Sequence, residues 1–138
     1  MTRYLCTVLA LAGGLLLTGG MASAQAQATK LISPVRGEAE IGFTNPVSKR
    51  EGNMIVTTIK VKNLASAPIA GLKVDEFWYD KSGEPVTGAQ PFRYRKAFMP
   101  GEVIEVILRV PTNPKMDRNS YKFEHSNGSI KATRLPKL

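Results

Sequence analysis

The alternation of apolar and polar positions is clearest between Met54 and Asn63. Ile55, Thr57, Ile59 and Val61 fall on one face of an extended chain, and Val56, Thr58, Lys60 and Lys62 on the other. A two-residue period of this kind marks a half-buried antiparallel strand. Val103 to Val110 repeats it, with Ile104, Val106, Leu108 and Val110 set against Glu105 and Arg109. Shorter apolar runs at 38–44, 72–80, 92–98, 121–125 and 129–133 predict further strands, and no window sustains a helical period. Gly, Pro and Asn punctuate the runs. Ser66, Pro68 and Gly71 mark a loop, Lys81 to Pro85 a turn, and Met99 to Glu102 a turn with Pro100 and Gly101 in type II positions. Residues 111–119 form a polar loop, and Asn127-Gly128 is a hairpin signal. About seven strands with regular turns predict an all-β chain, an antiparallel β-sandwich, with a small closed barrel as runner-up.

The first 24 residues follow a different logic. Arg3 precedes an apolar run from Leu5 to Leu17, and Ala22-Ser23-Ala24 fits the small-x-small site of signal peptidase. The apolar core is short for a membrane span, so the segment is expected to be cleaved after Ala24. The chain then divides into a signal peptide at 1–24, a flexible segment at 25–37 and a β-sandwich domain at 38–138. Its destination is the periplasm or the exterior. The single cysteine, Cys6, would leave with the signal, so the mature chain must rely on core packing without disulfides. The formal net charge of +8 is uneven, with the excess of cations concentrated after residue 88.

Ile59 to Asn63, Pro68-Ile69 and Leu72-Lys73-Val74 lead into Tyr79-Asp80-Lys81-Ser82-Gly83-Glu84-Pro85-Val86, and a Pro100-Gly101-Glu102 turn follows. This stretch, roughly Met54 to Val110, resembles the FxLYD domain family. The resemblance implies a small immunoglobulin-like or fibronectin-III-like sandwich on an exported bacterial protein. Its motif residues here are Trp78, Tyr79, Asp80 and Gly83. Glu76 stands where the family has Phe, and Trp78 where it has Leu. The family brings a fold and a location but no common reaction.

Glu76 is the candidate special acid. Alternation from Leu72 and Val74 points Glu76 and Trp78 inward, with Phe77 and Tyr79 outward. A carboxylate in an apolar core is costly unless paired. Two structural solutions are open: a bulge at Asp75 or Glu76 that turns the acid to water, or an ion pair with Arg93, Arg95 or Arg109. Asp80, Ser82 and Glu84 surround Gly83 as an Asp-initiated turn would, since the spacing does not fit a calcium loop. His125 has no second His or Cys to share a metal and reads as an exposed surface histidine. Phe92-Arg93-Tyr94-Arg95-Lys96 interleaves aromatics with cations. Arg93, Arg95, Lys96, Arg109 and Lys122 are therefore the candidate anion- or partner-binding residues, against the simpler role of charges guarding a sheet edge.

Nothing here resembles a nucleophile elbow, a phosphate loop or a zinc-protease helix. The sequence therefore reads as an exported, non-catalytic module with no cofactor, binding a protein or giving structural support in the bacterial envelope. The partner is an unidentified envelope protein or an anionic envelope component. The alternative is a polyanion-binding protein using the basic C-terminal half on anionic lipid, lipopolysaccharide or nucleic acid. A small hydrolase is the third class.

Overall fold

In the computed structural model, residues 31–89 and 91–138 are described. The signal segment and residues 25–30 of the expected flexible segment lie outside them. The described residues contain nine strands: β1 (Ala39–Phe43), β2 (Val47–Glu51), β3 (Met54–Asn63), β4 (Leu72–Tyr79), β5 (Pro85–Gly88), β6 (Phe92–Tyr94), β7 (Val103–Pro111), β8 (Arg118–His125) and β9 (Gly128–Arg134). They form one curled sheet whose two halves face each other as a sandwich.

One half centres on β3. β7 lies along one side of it, and β2 and β1 share the other, with Val47↔Thr58 and Ile41↔Asn63 in register. Thr44-Asn45-Pro46 separates β1 from β2, and Pro46 brings no N–H to a ladder. The other half centres on β4, flanked by β8 on one side and by β5 and β6 on the other. The inner faces meet where Ile41, Ile59, Val61 and Leu108 from the first half pack against Leu72 and Val74 from the second. Each such side chain contributes roughly 1.5–3 kcal/mol by burial.

The all-β expectation holds, with three differences of detail. Nine strands replace about seven, because β2 and β5 carry no apolar alternation. All five residues of β2 are exposed, and β5 holds only Val86 as a large apolar residue between Pro85 and Gly88. One pairing is parallel: β9 runs beside β1 from Ala39↔Ile130 to Phe43↔Arg134. The stretch expected to extend from Phe92 to Phe98 ends as a strand at Tyr94, and Phe98 instead bridges Ile69.

Two buried polar side chains tie loops to this frame. Asn63 donates from Nδ2 to Phe98 O at 2.8 Å and to Ala67 O at 3.1 Å, and its Oδ1 accepts from Ala65 N at 2.8 Å. His125 is buried, not exposed as the sequence suggested. Its Nε2 lies 2.8 Å from Gly37 O, and its Nδ1 accepts from Asn127 N at 3.4 Å, which assigns the ring proton to Nε2. Val35 N donates to Pro68 O and Gly37 N to Asn127 O, so the end of the expected flexible segment is anchored. The Asn127-Gly128 signal marks the correct hairpin. Because His125 pairs with Gly128, however, the turn residues are Ser126 and Asn127. Gly128 lies so close to the Gly37 backbone that a Cβ would sit 2.1 Å from Gly37 O.

Candidate functional site: the seam between the half-sheets

The course of β9 opens a recess beside β8. β9 pairs with β8 only at Glu124↔Ser129 and His125↔Gly128, then crosses to β1. Among the described residues, no strand covers the side of β8 away from β4 between Arg118 and Phe123. Across the gap, β2 pairs with β3 alone. A groove of about 700 Å³ lies between these two free edges. Asn119, Ser120 and Tyr121 line it from β8, Ser48 from β2, and Phe43 and Arg134 from the closed end. Arg134 stacks over the Phe43 ring at 5.6 Å, and Phe43 meets Phe123 at 5.1 Å between centroids.

Behind the groove, polar groups cross the core. Alternation along β4 does point Glu76 inward, and it is 1% exposed. Neither simple expectation for it holds. The register shift in β4 lies between Trp78 and Tyr79, beyond Glu76, and no arginine reaches the carboxylate among the described residues. Instead Glu76 Oε1 accepts from Thr57 Oγ1 at 2.9 Å and from Asn119 Nδ2 at 3.0 Å. Thr57 has only one hydroxyl proton, so the 2.8 Å contact with Ser48 Oγ makes Ser48 its donor. The second Asn119 proton goes to the Tyr121 hydroxyl at 2.7 Å. Burial, and then the neighbouring Glu76 carboxyl, push the Tyr121 phenol up to about 12. Glu76 Oε2 and Trp78 Nε1 are buried without hydrogen-bond partners among the described residues.

Sequence reading found Glu76 but missed Ser48, Thr57, Asn119 and Tyr121. Thr57 does carry a signal, being the one hydroxyl on the inner face of β3 between Ile55 and Ile59. Asn119 comes from the first three residues of an eight-residue strand of which only the last five, beginning at Tyr121, were expected.

The candidate cations do not converge. Phe92 and Tyr94 pack on the core, which turns Arg93 outward beside Lys73 on β4. Lys73 is held by Asp75 at 2.8 Å and Glu124 at 3.2 Å, and Lys122 by Glu124 at 2.7 Å. Hydrogen bonds to Asp75 and then Glu124 raise the Lys73 amine, while Lys122 and then Lys73 lower the Glu124 carboxyl. Lys122 is therefore an ion-paired surface residue. Arg95 and Lys96 are exposed in the bend after β6, and Arg109 lies on β7 opposite Val56, in the other half of the sheet. Arg93, Arg95, Lys96 and Arg109 make no ion pair among the described residues.

The remaining motif residues build the β4–β5 turn. Asp80 Oδ1 accepts from Ser82 N, Ser82 Oγ and Glu84 N at 2.9, 2.6 and 3.0 Å. The Ser82 hydroxyl first, and then the Glu84 N–H, hold the Asp80 carboxyl below its usual range. Gly83 supplies a φ of 91° at the tip. Tyr79 accepts at its hydroxyl from Ser120 at 3.3 Å, and Trp78 lines a second hollow of about 430 Å³ with Ser48, Lys49, Arg50 and Met116.

No protein-family model matches the chain, and no curated protein does. Among solved structures, it is similar to IrmA from Escherichia coli at 13% identity. The match covers 72% of this chain and 96% of that one, with a TM-score of 0.47.

Proposed function

We propose that this chain is an exported, non-catalytic β-sandwich module of the bacterial envelope that acts by binding another protein. The observation that carries this reading is the open seam. Two strand edges, on β2 and β8, border one groove, and unpaired backbone N–H and C=O groups are strong recognition elements. The groups that could serve acid–base chemistry have structural employment instead. Glu76 is sealed in the core by Thr57 and Asn119, His125 fastens the N-terminal segment, and Asp80 organises a turn. Arg3, the apolar run and Ala22-Ser23-Ala24 support export, and the Tyr79–Val86 turn supports an FxLYD-like immunoglobulin fold.

A second reading, binding of an anionic envelope component, is favoured by Arg93, Arg95 and Lys96. All three are exposed and free of ion pairs among the described residues. Capture from envelope extract at low and high salt separates the two. The protein-binding reading expects a specific protein retained at high salt. Recovery of only anionic lipid or glycan, lost as salt rises and weakened by changing Arg93, Arg95 and Lys96 together to Gln, would replace it with the second.

A further inference from the structure

We infer that the free edge of β8 accepts an extended, acidic polypeptide segment as an added strand, lying in the seam between β8 and β2. This rests on the binding-module reading and names the site and the chemistry of its partner. Three observations carry it. First, the β9 crossover leaves Arg118 to Phe123 of β8, a run of six residues, without a neighbouring strand on one side among the described residues. Every second residue of such an edge offers both its N–H and its C=O, enough to hold a short strand by backbone pairing.

Second, the groove is already shaped along that edge. It is lined on the β8 side by Asn119, Ser120, Tyr121 and Phe123, and on the facing side by Asn45 and Ser48. Alternate side chains of an added strand would meet the Phe43–Phe123 pair and the polar wall in turn.

Third, the charged side chains that line this groove and the hollow sharing Ser48 with it are cations, while Glu51 and Glu105 line a separate hollow beyond Asn45. Arg134 lines this groove, and Lys49 and Arg50 line the adjoining hollow that shares Ser48 with it. Neither wall includes an Asp or Glu among the described residues. A segment carrying carboxylates is therefore matched and a basic one is repelled. The same argument disfavours the chain's own candidates. A second copy carries the same net positive charge, and residues 1–30 contain no Asp or Glu. Strand edges are usually guarded against pairing by their own charges. Here the guarding cations would also select the partner.

The test uses the protein purified as the cell processes it. The probe is an acetylated, amidated octapeptide alternating Val and Glu. Its controls are the Val–Lys counterpart, the Val–Glu peptide N-methylated at alternate amides in each of the two possible registers, and dextran sulfate. The Val–Glu peptide is expected to protect alternate amides of β8 between Arg118 and Phe123 from exchange. One N-methylated register should lose affinity by roughly ten-fold or more while the other retains it, since only one register presents its amides to β8. Arg134→Glu and Arg50→Glu should each weaken binding by roughly ten-fold.

The inference is overturned if the peptide does not bind at millimolar concentration, or if the Val–Lys peptide binds equally well. It is also overturned if both N-methylated forms bind like the parent, or if dextran sulfate binds the same residues without β8 protection. Protection of β8 that grows with protein concentration alone would assign the edge to a second copy and overturn it as well. A captured envelope protein that binds Arg134→Glu undiminished would sink this site and leave the binding-module reading standing. Peptide binding with no envelope protein captured would do the reverse.

Discussion

Thr57 Oγ1 donates to Glu76 Oε1 across 2.9 Å, joining β3 of one half-sheet to β4 of the other through the apolar core. The bond lies within a chain of donors running from Ser48 through Thr57 to the carboxylate. Removing the Thr57 hydroxyl leaves Ser48 without its acceptor and Glu76 Oε1 with Asn119 alone. Thr57→Val, nearly isosteric, is expected to destabilise the fold by about 1–3 kcal/mol, because buried polar groups lose a partner. Thr57→Ser, which keeps the hydroxyl, should cost less. Urea denaturation at neutral pH checks this. A Thr57→Val protein within about 0.5 kcal/mol of the parent would mean that the bond does not support the fold.

Tyr121 gives the same region a signature at high pH. Its phenol is raised to about 12, chiefly by burial and then by Glu76. An unfolded tyrosine ionises near 10. Between about pH 10 and 12 the unfolded chain releases a proton that the folded chain keeps. The contribution of this group is therefore intact below pH 10 and is lost as pH rises toward 12. Allowing for partial exposure, the loss is of the order of 1–2 kcal/mol. Tyr121→Phe should show a shallower decline of stability over that window and should lack one late step in the tyrosinate absorbance titration. An identical titration for the two proteins would contradict the assignment.

The N-terminal clamp depends on Gly128 and His125. A Cβ at Gly128 would lie 2.1 Å from Gly37 O and 2.6 Å from Gly37 C, so the whole strap would have to move. Gly128→Ala is expected to cost more than about 2 kcal/mol, as backbone displacement does. His125→Phe keeps the volume but removes the 2.8 Å contact with Gly37 O. It should chiefly speed amide exchange and proteolysis at 35–38 while leaving β3 and β7 protected. Uniform loss of protection in His125→Phe would show that the histidine supports the whole core and not the strap.

Elements that bury an apolar face could be read from the chain. β3 and β7 are built from alternating Ile, Val and Leu, and their observed bounds match the pattern almost residue for residue. β2 could not be read, because Val-Ser-Lys-Arg-Glu buries nothing and exists only as a pairing partner of β3. The inward direction of Glu76 followed from alternation along β4, but its partners did not. Thr57 lies 19 positions away and Asn119 43 positions away, and nothing local in the chain links them. The cationic residues show the reverse. Arg93 and Arg95 are adjacent in pattern, yet Arg109 belongs to the other half of the sheet, and Lys122 is taken up by Glu124. Composition gave the sign of the surface charge, and only the strand order says where it gathers. His125 was misread because a single histidine before a turn shows no burial signal. Its partner, Gly37 O, lies 88 positions away.

On the proposed reading, the chain binds a protein through its open seam. Amide hydrogen exchange, measured on the protein alone and saturated with the protein it captures from envelope extract, tests this most directly. The expected result is new protection confined to 118–123 on β8, with β3 and β7 unchanged. Protection on the 92–96 segment instead, or a captured fraction that contains no protein, would contradict it.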